Sequence, residues 1–158
     1  MDTQLQERIN EIEVLSRKVV KEVKNKAPFP LFSHELRKLT DTLRYLVDVD
    51  INAFPHSEPD FKPFWQQFSD SLTDCKETLQ TLSDALADVA ILKNEKREAR
   101  LQEIGELRQR ITPFAKTFNI ALQIITMFVP RVIHMLIGYL VPPKLRATRE
   151  IFLPHYTN

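Results

Sequence analysis

Residues 118–141, FNIALQIITMFVPRVIHMLIGYLV, gather the apolar side chains of this 158-residue chain into one run with a single charge, Arg131. The run has the length of about 20 residues that a bilayer-crossing helix needs, and it also has the periodicity of a helix buried in a bundle. Its polar or small residues, Asn119, Gln123, Thr126, Pro130, Arg131, His134 and Gly138, recur mostly at steps of three and four. They form one narrow stripe on an otherwise apolar helix, which suits an element surrounded by other helices or one that faces lipid. About twelve strongly apolar residues at about −0.3 to −0.6 kcal/mol each stand against an arginine at about +2.5 to +3.5 together with Gln123, His134 and Pro130, so the insertion balance is near zero. Basic residues flank both ends (Arg108, Arg110 and Lys116 before, Lys144, Arg146 and Arg149 after), so charge does not orient the run. Pro130 removes the amide that would bond the Thr126 carbonyl, which predicts a kink. The expectation is a buried central helix that can be made to meet lipid.

Working outward, residues 60–92 carry the most regular pattern: Phe61, Trp65, Phe68, Leu72, Cys75, Leu79, Leu82, Leu86 and Val89 alternate steps of three and four. That seam predicts knobs-into-holes packing along a helix of about 50 Å, with Asp60 as cap and Pro63 in the first turn. Residues 2–24 place Leu5, Ile9, Ile12, Val19 and Val23 on one face, with Ser16 inside the stripe, and read as a first helix. After the Ala27-Pro28-Phe29-Pro30 loop, Ser33 is the expected N-cap of a second helix ending near residue 49. Residues 50–59 form the longest irregular connection, which Phe54 is placed to anchor. The stripe fails at residues 93–97, predicting a turn, then resumes at Leu101, Ile104, Leu107 and Ile111. Thr112-Pro113 reads as a fresh helix start, with a reorientation there. Pro142-Pro143 stop the last helix, and residues 141–158 form a basic and aromatic tail whose Ile-Phe-Leu-Pro-His-Tyr segment is apolar enough to dock back.

Two glycines against ten prolines argue against sheets and glycine-rich phosphate loops. The resulting expectation is all-α: a single domain over residues 1–158, an up-down bundle of four to six helices around the hydrophobic C-terminal helix.

A net charge of +1 offers no clustered positive field for nucleic acid. The lone Cys75 has no bridging partner, and its seam position reads as a small buried hydrophobe, not a nucleophile. Absence of a secretory leader pattern points to a cytoplasmic protein. His34, His56, His134 and His155 stand far apart, without metal-ligand spacing, and His134 sits one turn from Arg131. Asp70, Asp74, Glu77, Asp84 and Asp88 lie off the seam as a solvated face. Nothing in these patterns supports an enzyme, a metal or a cofactor.

The reading that follows is a non-enzymatic protein-interaction or self-association module with a regulatory or adaptor role, its partner a protein or another copy of itself. The alternative, by architectural analogy with pore-forming and cell-death-executing helical domains, is a membrane-active bundle whose apolar helix inserts in or docks on a bilayer. In either case the contact residues are expected to be Phe118, Ile125, Phe128, Arg131, His134, Tyr139, Lys144, Arg146 and Arg149.

Overall fold

A computed structural model describes residues 2–25, 30–49, 51 and 59–140; for residues 2–3, 25, 30–31 and 128–140 only the backbone is described. Four helices account for nearly all of it: α1 (Asp2–Asn25), α2 (Pro30–Asp48), α3 (Lys62–Ile91) and α4 (Asn94–Leu140), with a 3-10 turn at Pro59–Phe61 before α3. There is no strand among the described residues.

Side-chain pairs fix the directions. Gln6 donates to the Val47 carbonyl at 2.7 Å and Glu13 faces Arg44 at 3.7 Å, so α1 and α2 are antiparallel. Arg8 reaches Ser69 and Thr73 at 2.8 and 2.7 Å, and Glu22 accepts from Ser83 at 3.2 Å, so α3 runs parallel to α1. Asp88 meets Arg100 at 2.6 Å while Phe68 meets Phe118, making α3 and α4 an antiparallel hairpin. α1 and α4 each pack on α2 and α3. The result is an up-down bundle in which α2 and α3 stand on one diagonal and α1 and α4 on the other.

Each helix buries the face its sequence marks. On α3, Phe68, Leu72, Cys75, Leu79, Leu82, Leu86 and Val89 are buried, as the seam requires, with Phe61 and Trp65 partly covered at the end. Opposite them stand Ile9, Ile12, Val19 and Val23 of α1, Leu36, Leu39, Leu43 and Leu46 of α2, and Ile104, Leu107, Ile111, Phe118, Ala121 and Ile125 of α4. Burying a side chain of this size contributes about 1.5–3 kcal/mol, which outweighs the weak propensity of any one helix. Between α1 and α2 the buried polar residues satisfy one another. Thr40 gives its one proton to the Leu36 carbonyl at 2.7 Å, so Ser16 is the donor in the Ser16–Thr40 hydroxyl pair. The buried Glu13 is matched by Arg17 at 2.8 Å.

Four expectations need correction. The second helix begins at Pro30, not at a Ser33 cap, because proline at the first helical position costs no hydrogen bond and fixes the right φ. The residue capping α3 is Phe61, with no side-chain cap bond, since Asp60 is taken into the 3-10 turn; Pro63 does fall in the first turn. The break near residue 93 is real but tighter: Leu92 turns extended (ψ 152°), and Asn94, at φ 60°, opens α4 at once, a left-handed conformation that asparagine tolerates. Finally, Thr112-Pro113 starts nothing, for α4 is continuous from Asn94 to Leu140 and passes through Pro113 and Pro130. Pro113 is exposed, so the unbonded carbonyl of exposed Gln109 reaches water, and Thr112 turns its hydroxyl back to the Arg108 carbonyl at 3.2 Å. Burial of Ile111 and Phe118 on either side holds the axis.

The 47 residues of α4 make it about 70 Å long against about 45 Å for the 30-residue α3. It forms one wall of the four, not an axis that the others surround. Phe54 and the tail of residues 141–158 lie outside the described residues.

Candidate interaction surface

The end of the bundle where α3 begins is aromatic. Phe64 stacks on Phe68 (centroids 6.1 Å, planes 7° apart), Trp65 meets both edge-on at 5.2 and 5.9 Å, and Phe68 meets Phe118 edge-on at 6.0 Å. Phe114 stacks on Phe118 at 6.1 Å. Such pairs add about 0.5–1.5 kcal/mol to area burial, so this end is pinned, not splayed.

Beside that cluster a groove of about 210 Å³ opens between the two helices, lined by Phe64, Gln67, Phe68, Thr117, Ile120, Ala121 and Ile124. Its α4 lip carries Ile120, 48% exposed, and one heptad further on Met127 is 62% exposed. Two large apolar residues seven apart lie on one helix face, so together with the groove they make a solvent-facing apolar strip. α4 does not stop there. Phe68 is level with Phe118, and α3 begins at Lys62, so antiparallel pairing brings the α3 N-terminus level with about Ile124 to Ile125. The backbone helix then runs on to Leu140, past the start of α3.

A second trough, between α2 and α4, is polar. His34, Glu35, Lys38, Asp41, Thr42, Thr112, Ala115, Lys116 and Asn119 line it, with a volume of about 700 Å³. On its α2 wall Glu35 accepts from Arg108 at 3.1 and 3.2 Å. The carboxylate raises the Arg108 pKa further by hydrogen bonding and charge, so the guanidinium stays charged. No group of three or more His, Cys, Asp or Glu able to hold a metal occurs among the described residues. Cys75 is buried, and desolvation pushes its thiol up to about 12, which removes it as a nucleophile.

Of the expected contact residues, Phe118 and Ile125 are fully buried in the core and present nothing to a partner in this state. Phe128, Arg131, His134 and Tyr139 lie on the backbone of α4 beyond the described side chains, and Lys144, Arg146 and Arg149 lie outside the described residues. On the stripe, Asn119, Gln123 and Thr126 are exposed and face water, while Pro130, Arg131, His134 and Gly138 lie beyond the described side chains. The residues that do form the surface, Ile120, Ile124 and Met127 with Phe64 and Gln67, escape a reading by polar stripe. A signal for them exists: carrying the 3-4 phase of Ile104, Leu107 and Ile111 through Phe118, Ala121 and Ile125 leaves Ile120 and Met127 off the buried face.

No helix among the described residues is long and apolar enough to cross a membrane. No family model, curated protein or solved structure matches this chain.

Proposed function

We propose that this chain is a non-enzymatic helical-bundle module that works by helix packing, associating with a second copy of itself through the α3–α4 groove and the face of α4 beyond it. The observation that carries this is the pairing of exposed Ile120 and Met127, one heptad apart, beside an apolar groove and on a helix that outruns its neighbours. Heptad-spaced apolar residues on one face are what a docking helix engages, each inserting between residues of the facing helix. A two-fold arrangement places the same strip on both copies, so each copy covers the other. A regulatory or adaptor role follows from an association of this kind.

Light scattering coupled to size exclusion over a concentration series tests the reading. A mass that climbs from monomer towards dimer supports it, and a monomer at every concentration contradicts it.

A second reading rests on the sequence of α4 itself, whose apolar run continues past Met127 with Arg131 as its one charge. Here the same end of the molecule docks on or enters a bilayer. Liposome flotation separates the two, since a soluble dimer stays at the bottom of the gradient and a membrane-active chain rises with the vesicles.

A further inference from the structure

We infer that Met127 of a second copy fills the α3–α4 groove of the first, the two α4 helices running antiparallel about a two-fold axis midway between Ile120 and Ile124. This rests on the self-association reading above and adds to it a direction, a register and the side chain that enters the groove.

The α4 wall of the groove runs from Thr117 to Ile124, and its α3 wall is aromatic, with Phe64 and Phe68. A two-fold contact is reciprocal, so every pairing occurs twice. About the stated axis Ile120 meets Ile124 of the second copy, and Met127 comes level with the second copy's Thr117. Phe68 stands at that level, since it meets Phe118 across the hairpin. Both large apolar residues that the fold leaves exposed on this face, Ile120 and Met127, are thereby covered. The parallel sense instead sets Met127 against its own counterpart, beyond the start of α3, where neither groove has a wall. Methionine suits the antiparallel position. Its unbranched side chain fills an irregular gap, and its sulfur packs favourably about 5 Å from an aromatic ring.

Charge agrees with this register. Lys116 lines the trough on the α2 side of α4, so it flanks the strip on the side away from its own α3 and towards the α3 of a second copy. There it comes level with about residue 128 of the first copy's α4, while Asp60 is level with about residue 126, only about 3 Å away along the axis. Asp60 and Lys116 are both exposed, and neither has an ion partner among the described residues. Lys62 does not oppose them, because it lies one heptad before Ser69, on the side of α3 that meets Arg8 of α1. The length by which α4 outruns α3 then lies along the second bundle, to the level of about residue 104.

The full chain with carbon-13 methyls on methionine and threonine tests the inference by through-space magnetisation transfer at a concentration where the dimer forms. Within one chain Met127 and Thr117 stand about 15 Å apart along α4, too far for transfer. A cross-peak between their methyls is expected, lost on dilution to monomer and lost in Ile120→Lys. Asp60→Lys and Lys116→Asp should each weaken the dimer about fivefold, and the two together should recover wild-type affinity. A Met127–Met127 contact in a mixture of labelled and unlabelled chains, a dimer without the Met127–Thr117 cross-peak, or a charge swap that recovers nothing overturns the inference and leaves the self-association reading standing. A monomer at every concentration removes both.

Discussion

Phe68 of α3 and Phe118 of α4 meet edge to face, 6.0 Å between centroids and 82° between planes, at the level where α4 is about to leave its neighbours behind. About two turns above this contact α4 outruns the start of α3, and below it the two helices form a hairpin down to the Asp88–Arg100 pair. The contact fixes how α4 is presented.

Removing it should therefore be expensive. Phe118→Ala deletes a fully buried ring and leaves a cavity, with an expected cost of about 3–5 kcal/mol. Urea unfolding monitored by the fluorescence of Trp65, which packs edge-on against Phe68, measures it. A cost under about 1 kcal/mol would mean that α4 is not anchored here.

Cys75 should resist thiol reagents in the native state, because the thiolate is the reacting species and burial holds the thiol up to about 12 from its ordinary 9.0. The sign for stability follows. Above about pH 9 the unfolded chain ionises this thiol while the folded chain keeps it protonated, so stability falls with rising pH, by about 1.4 kcal/mol per unit until about pH 12. Denaturant midpoints at about pH 8 and pH 10 should drop in the wild type by more than in Cys75→Ala. Equal drops, or rapid native-state labelling, would refute the burial.

Gly105 lies inside α4, exposed, with open space where a Cβ would stand. Its sole effect is the cost of glycine in a helix interior, so Gly105→Ala should stabilise the chain by about 1 kcal/mol. Thermal melts report it as a rise of a few degrees; no rise would imply that this stretch of α4 frays in solution.

The α3 seam was legible because one helix face with a single repeat admits one packing answer: Phe68 through Val89 stand where the alternation of three and four puts them. The extent of α4 was not. Pro113 and the charged residues 93–97 look like breaks, and only tertiary burial of Ile104, Ile111 and Phe118 shows that the helix runs through the proline. Nor does apolar content say how many neighbours a helix has. The run of residues 118–141 looked central because it is the most apolar, whereas Ile120 and Met127 face solvent. Arg8, on the nominally polar side of α1, in fact bridges to Ser69 and Thr73, since the length of an arginine lets it cross to a parallel neighbour.

The central claim is that the strip through Ile120 and Met127 is the surface by which the chain packs on a second copy. Sedimentation velocity from micromolar to about millimolar protein tests it on the wild type and on Ile120→Lys with Met127→Lys. The account predicts a concentration-dependent dimer for the wild type and a monomer of unchanged helicity when the strip is charged. A wild type that stays monomeric throughout, or a dimer indifferent to the two lysines, would contradict it.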